Sequence, residues 1–112
     1  MVSRPVSTRR TTTMSTLEAL RTILVRSVGD PDMPDLSQRQ LAVLLCLEEA
    51  QEPLTIRGLA ETLKAPKPSI TRAVDRLEIE EFAERRDDAS DRRSVNIVIT
   101  AGGRRFLKKL AR

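Results

Sequence analysis

SITRAVDRLEIEEFAERRDDASDRRSV, residues 69–95, changes its hydrophobic period midway, and that change decides the fold. In its first half Ile70, Val74 and Leu77, with Ala73 beside them, recur at helical spacing. Rotating about 100° per residue from Ile70 puts Pro68, Arg72, Asp75 and Arg76 on the opposite, exposed side, flanked by Ser69 and Thr71. From Phe82 the pattern shifts to that of a strand, FAERR, and after the charged run DDASDRRSV comes VNIVIT, in which Val95, Ile97 and Ile99 alternate. The spacing predicts a helix over residues 67–80, then a hairpin over residues 82–99 with the charged run at its tip.

Working outward, Thr55 can cap a short helix, IRGLAETLK, with Leu59, Ala60 and Leu63 on one face, and APKP separates it from the next helix. Before it, Ser37 and Gln40 of SQRQ have capping-box spacing ahead of LAVLLCLEEA. That body is apolar almost all round, as a central buried helix requires, and Pro53 fixes its end. Cys46 lies inside it and reads as a buried structural thiol, because no neighbouring cation or second cysteine stabilises a thiolate. A first helix is predicted over residues 15–28, with Leu17, Leu20, Leu24 and Val28 in a stripe flanked by Ile23. That stripe either packs on the domain's own core or forms a seam with a second copy. A short last helix, residues 101–111, carries Phe106, Leu107 and Leu110 on its apolar side. Residues 1–13 combine Ser, Thr and Arg with no acid, and read as a disordered basic arm in preference to an organellar transit peptide. Residues 14–112 then form one domain, mainly α with a small β-hairpin, an α+β arrangement.

Composition removes several function classes. The chain of 112 residues has no histidine and a single cysteine, so an internal disulfide, a cysteine-based zinc site and most proton-shuttle chemistry are ruled out. It shows no glycine-rich phosphate loop and no paired carboxylates on one face, so an enzyme is not expected, and neither a metal nor a cofactor is implied. No apolar run suffices to span a membrane, and the protein is expected to be soluble and cytoplasmic. The net charge of +4 is concentrated at the ends: residues 1–13 carry +3 and residues 104–112 carry +5, leaving −4 between them. Nucleic-acid binding therefore has to rest on where individual cations stand. With only two phenylalanines and no Trp or Tyr, stacking on single strands is not the mode.

Two helices joined by a tight turn and followed at once by a hairpin describe a winged helix-turn-helix whose second helix enters a major groove. The first turn of that helix presents Lys67, small hydroxyl residues and open amides, suited to a phosphate-lined groove, whereas Glu78, Glu80 and Glu81 lie at its far end. Arg72 has the length and facing to reach a guanine edge bidentately.

LTIRGLAETLKAPKPSITRAVDRLEIEEFAERRDDASDRRSVNIVIT resembles the MarR family of bacterial transcription regulators. LSQRQLAVLLCL is similar to the family's central helix, LAETL to its third helix, SITRAVDRLE to its recognition helix, ERRDDASDRRSV to its wing, and ITAGGRRFL to the start of its fifth helix. The resemblance implies a homodimeric regulator, a repressor, that binds a palindromic double-stranded DNA operator and is often released by a small aromatic or phenolic ligand. By position, Lys67, Ser69, Thr71 and Arg72 face the major groove, with Arg76 beside them. Arg92 and Arg93 match wing arginines placed in or beside the minor groove, Asp75 matches a helical aspartate that can pair with a wing arginine, and Asp91 shapes the wing loop.

The chain departs from that pattern in three places. Glu81 stands where the family usually has a glycine ending the recognition helix, and Pro66 replaces the usual Ser or Thr cap. The last helix is short where the family dimerises through its first helix and long C-terminal helices, so a dimer here would join helix one to a shortened C-terminal helix. A second reading follows from this: a winged-helix module that binds another regulator or complex rather than DNA.

Overall fold

The computed structural model describes the backbone of residues 4–91 and 93–112, and side chains from residue 15 onward except at position 92. Its elements run α1 (Arg4–Gly29), α2 (Gln38–Glu49), α3 (Ile56–Leu63), α4 (Lys67–Ile79), β1 (Ala83–Asp87), β2 (Val95–Ile99) and α5 (Ala101–Ala111). They sort into two compact units, Met1–Asp35 with Leu110–Arg112, and Leu36–Lys109.

In the first unit α1 begins at Arg4, so helical backbone covers most of the segment expected to be an arm. Pro5 falls in its first turn, where a missing N–H costs no intrahelical bond, and the Ser/Thr/Arg run holds no glycine to break the helix. The stripe from Leu17 to Val28 faces solvent: Leu17 and Leu20 are each 49% exposed, Leu24 44% and Val28 76%. At the helix end Asp30 turns the chain, its side-chain Oδ1 accepting from Asp32 N at 2.9 Å and its carbonyl from Met33 N at 3.1 Å. The Arg26 guanidinium donates to the Leu110 carbonyl at 2.8 Å, satisfying one of the open carbonyls at the end of α5.

The second unit is built on α2. Its capping box forms as the sequence requires: Gln40 N donates to Ser37 Oγ at 3.1 Å while Gln40 Oε1 accepts from Ser37 N at 2.8 Å. Val43, Leu44 and Leu47 are buried, but Leu45 is 49% exposed and Cys46 only half-buried. The helix is thus amphipathic and not enclosed, and the expectation of a buried thiol is corrected: its place beside the buried stripe leaves Cys46 on a boundary.

Thr55 caps α3 by accepting from Gly58 N at 3.0 Å, and Leu59 and Ala60 turn inward. Lys64 ends that helix in the left-handed conformation, φ 51°. Pro66 then opens α4 without a side-chain cap, its carbonyl accepting from Ser69 N and Ile70 N. Ile70, Ala73, Val74 and Leu77 close on Leu44, Leu59 and Ile97 to form the core.

The end of α4 sets the direction of everything after it. Glu81 takes φ 63°, with Glu81 N bonded to Glu78 O at 2.9 Å and Phe82 N to Leu77 O at 2.8 Å, the left-handed helix ending that usually carries glycine. β1 and β2 pair antiparallel from Ala83↔Ile99 to Asp87↔Val95. Leu54 adds a single bridge to Ile97, with Ile97 N donating to Leu54 O at 2.6 Å, which ties the hairpin to the start of α3. Sequence periodicity gives no sign of this one-residue strand.

Thr100 begins α5, its N–H donating to Phe82 O at 3.0 Å and its hydroxyl to Glu81 O at 2.6 Å, while that hydroxyl accepts from Gly103 N at 3.0 Å. Phe106 stacks on Phe82 with ring centroids 4.5 Å apart. Such an approach excludes any side chain at position 103, since a Cβ there would lie 2.2 Å from Phe82 O.

Substitutions at the two ends of this junction are expected to have opposite signs. Gly103→Ala should destabilise the chain by roughly 1–3 kcal/mol through overpacking against backbone. Glu81→Gly should stabilise it by about 0.5–1 kcal/mol, removing a side chain from left-handed backbone. Urea unfolding followed by circular dichroism measures both.

Candidate nucleic-acid interface

α4 carries the residues singled out by sequence. Its buried stripe leaves Lys67, Pro68, Arg72 and Asp75 exposed on the opposite side, with Ser69, Thr71 and Arg76 half-buried along its edges. At its N-terminus the proline at position 66 offers no side-chain acceptor, Pro68 has no N–H, and Ser69 N and Ile70 N are bonded to Pro66 O, so of the open amides expected from the sequence only that of Lys67 is left, and the positive character of this turn rests on the Lys67 side chain and the helix dipole.

Charge pairing divides the cations of this region into two sets. Arg76 is tied to Glu80, Nε to Oε2 at 3.1 Å, one turn toward the C-terminal end of α4 along the same face. Lys67, Arg72 and Arg93 have no ion-pair partner among the described residues.

Asp75 pairs with a residue absent from the sequence reading. Its Oδ1 lies 2.9 Å from Arg85 Nη2, and the same guanidinium binds Glu78 through Nη1. Glu78 Oε2 also accepts from Arg85 N at 3.2 Å, so one carboxylate holds both the backbone and the side chain of a wing residue. The sequence does contain the signal: Arg85 shares a strand face with Ala83, which is buried, and pairs with Ile97, whereas Asp75 and Glu78 are three apart on α4. An arginine turned toward the core side of a strand calls for carboxylates across from it.

The wing tip is built by short aspartate turns. Asp91 Oδ1 accepts from Arg93 N at 2.9 Å and Oδ2 from the Ser94 hydroxyl at 3.1 Å. Asp88 Oδ1 accepts from Ser90 N at 2.9 Å and from the Ser90 hydroxyl at 2.8 Å. The Ser90 backbone N–H, followed by its hydroxyl, holds the Asp88 carboxyl below the usual aspartate value. These bonds leave the side chain of Arg93 exposed at the tip. Arg92, the other wing arginine expected from the sequence, lies outside the described residues.

Among the described residues no helix is long and apolar enough to cross a membrane. No curated protein matches the chain. Solved structures do: the transcriptional regulator Tm0710 of Thermotoga maritima, 25% identical, aligns over 98% of this chain and 71% of its own with a TM-score of 0.72. BldR of Sulfolobus solfataricus, a transcriptional regulator also 25% identical, aligns over 98% of this chain and 76% of its own with a TM-score of 0.65. MepR of S. aureus in complex with DNA shares the fold at 22% identity, over 92% of this chain and 78% of its own, with a TM-score of 0.66. The MarR family model matches residues 36–95, from the start of α2 through the wing to the first residue of β2. With that match spanning more than half of its length, the chain belongs to the MarR family of transcriptional regulators.

Proposed function

We propose that the chain regulates transcription as a repressor, binding a palindromic double-stranded operator as a homodimer with α4 in the major groove and the wing beside it. The observation that carries this reading is the sorting of charge on α4. Its exposed cations without ion-pair partners, Lys67 and Arg72, stand on the N-terminal half, whereas Arg76 is neutralised by Glu80 nearer the C-terminus. A helix so arranged presents unpaired cationic side chains at one end, the polarity that a phosphate-lined groove selects. MepR, whose fold this chain shares, is a protein solved in complex with DNA, which supports a DNA partner.

In this docking Arg72 reads a base edge and Arg93 meets the backbone or minor groove. Arg85 acts at one remove, holding the wing strand against α4 through Asp75 and Glu78 so that helix and wing meet DNA in fixed register. The exposed stripe of α1, Leu17, Leu20, Leu24 and Val28, supplies the seam for a second copy, with the short C-terminal helix α5 contributing to it.

On the tightest duplex selected from a random pool, Arg72→Ala should cost about 1–3 kcal/mol and relax preference at one base pair. Arg93→Ala should weaken all duplexes alike. Unchanged affinity in both variants by fluorescence anisotropy would refute the docking. Arg85→Met should destabilise the fold by about 1 kcal/mol after allowing for the partial exposure of the pairs, and should lower operator affinity more than its melting shift accounts for. Pairing it with Asp75→Asn should give less than the sum of the two losses. In sedimentation analysis the intact chain should run as a dimer, and Leu20→Asp with Leu24→Asp as a folded monomer.

A further inference from the structure

Beside the entry to α4 lies a cleft of about 500 Å³ between the first turn of α2 and the α3–α4 turn. Ala42, Leu63 and Ala65 form its half-buried part, and Arg39 and Lys64 stand exposed on its rim. Pro66 both lines the cleft and caps α4, so the cleft adjoins the end of the helix that carries the unpaired cations.

Lys64 is unusual in its backbone. It ends α3 at φ 51°, with its N–H bonded to Ala60 O and Glu61 O, so the base of its side chain is held between two helices. Arg39 is in the first turn of α2, behind the fully formed capping box of Ser37 and Gln40, and its backbone is equally fixed. Neither cation has an ion-pair partner among the described residues, a property they share with Lys67 and Arg72 on the neighbouring α4. Two unneutralised cations on fixed backbone, one in the first turn of α2 and one capping α3, line the same cleft and offer charge-assisted donors to an anionic oxygen there.

We propose that Arg39 and Lys64 together grip a backbone phosphate of the duplex just outside the segment read by α4. The inference rests on the DNA-binding reading above and extends it to a surface that neither the recognition helix nor the wing includes. Gripped in this way, the phosphate sets how far α4 advances along the groove, because contacts to phosphate position a protein without reading sequence.

The test compares the intact chain with Arg39→Gln/Lys64→Asn, asparagine being chosen because it tolerates left-handed backbone. Each is titrated with the tightest duplex from a random pool and with a duplex of scrambled sequence, across a range of salt. The slope of log affinity against log salt should become shallower by about 0.9 for each cation removed. Affinity should fall by the same factor on both duplexes, leaving their ratio unchanged, and thermal melting should be unaltered. Unchanged slopes, or a loss confined to the selected duplex, would overturn the phosphate grip while leaving DNA binding in place. Failure of the intact chain to bind either duplex would overturn both readings.

Discussion

The backbone on either side of Phe82 is the constraint on which the rest of the second unit depends. Its N–H closes α4 onto Leu77 O, and its carbonyl accepts from Thr100 N, so a single residue joins the end of α4 to the start of α5. β1 departs from the same point in register with β2, and the Phe82 ring stacks on Phe106 of α5. Neither bond can form unless the chain reverses sharply at residue 81, which accounts for a glutamate held at φ 63° despite the steric cost. Gly103 is the matching concession on the other side, since only a missing side chain lets α5 approach the Phe82 carbonyl.

From that junction the placement of charge follows. With the hairpin leaving α4 at a fixed angle, Arg85 is delivered to Asp75 and Glu78, and the wing is held by two carboxylates on consecutive turns of one helix. These carboxylates do not face the groove as unpaired negative charge. The net negative charge of the middle of the chain is therefore compatible with binding a polyanion, because the acids of α4 and its C-cap nearest the wing, Asp75, Glu78 and Glu80, are engaged in internal pairs while the cations without partners, Lys67 and Arg72, stand on the N-terminal half of that helix.

Much of this was legible in the sequence because it depends on local spacing. The stripe Ile70, Val74, Leu77, the alternation Val95, Ile97, Ile99 and the capping box at Ser37 each specify an element by themselves, and each element lies where its pattern put it. The outer face of α4 was legible for the same reason. Arg85 was legible only in part: strand alternation puts it on the face of buried Ala83, but which carboxylates it meets depends on the angle between a helix and a strand that no periodicity encodes. The bridge from Leu54 to Ile97 escaped because a strand of one residue has no period at all. Cys46 was misplaced because an almost continuous apolar run conceals which of its residues face inward. The start of α1 was missed because the compositional sign of disorder and the sequence of a polar helix overlap where glycine is absent.

The wing poses one more physical problem, since it brings Asp88 and Asp91 close to where phosphates are proposed to lie. Both carboxylates are turned into the loop, accepting from Ser90, Ser94 and the Arg93 backbone, so part of their negative charge is already met by donors. Asp88 titrates below its ordinary value as a result, which means that its bonds favour the folded loop above the unfolded aspartate's titration range and lose that effect as pH falls through the lowered value. At neutral pH the Asp88 carboxylate is thus charged and its bonds to Ser90 are retained. A tip that repels phosphate weakly in general and presents Arg93 at one fixed place contributes less to indiscriminate attraction than a lysine-rich loop would. On the proposed docking, binding depends on a duplex that suits α4 and the wing together, and the aspartates favour specificity at some expense in total affinity.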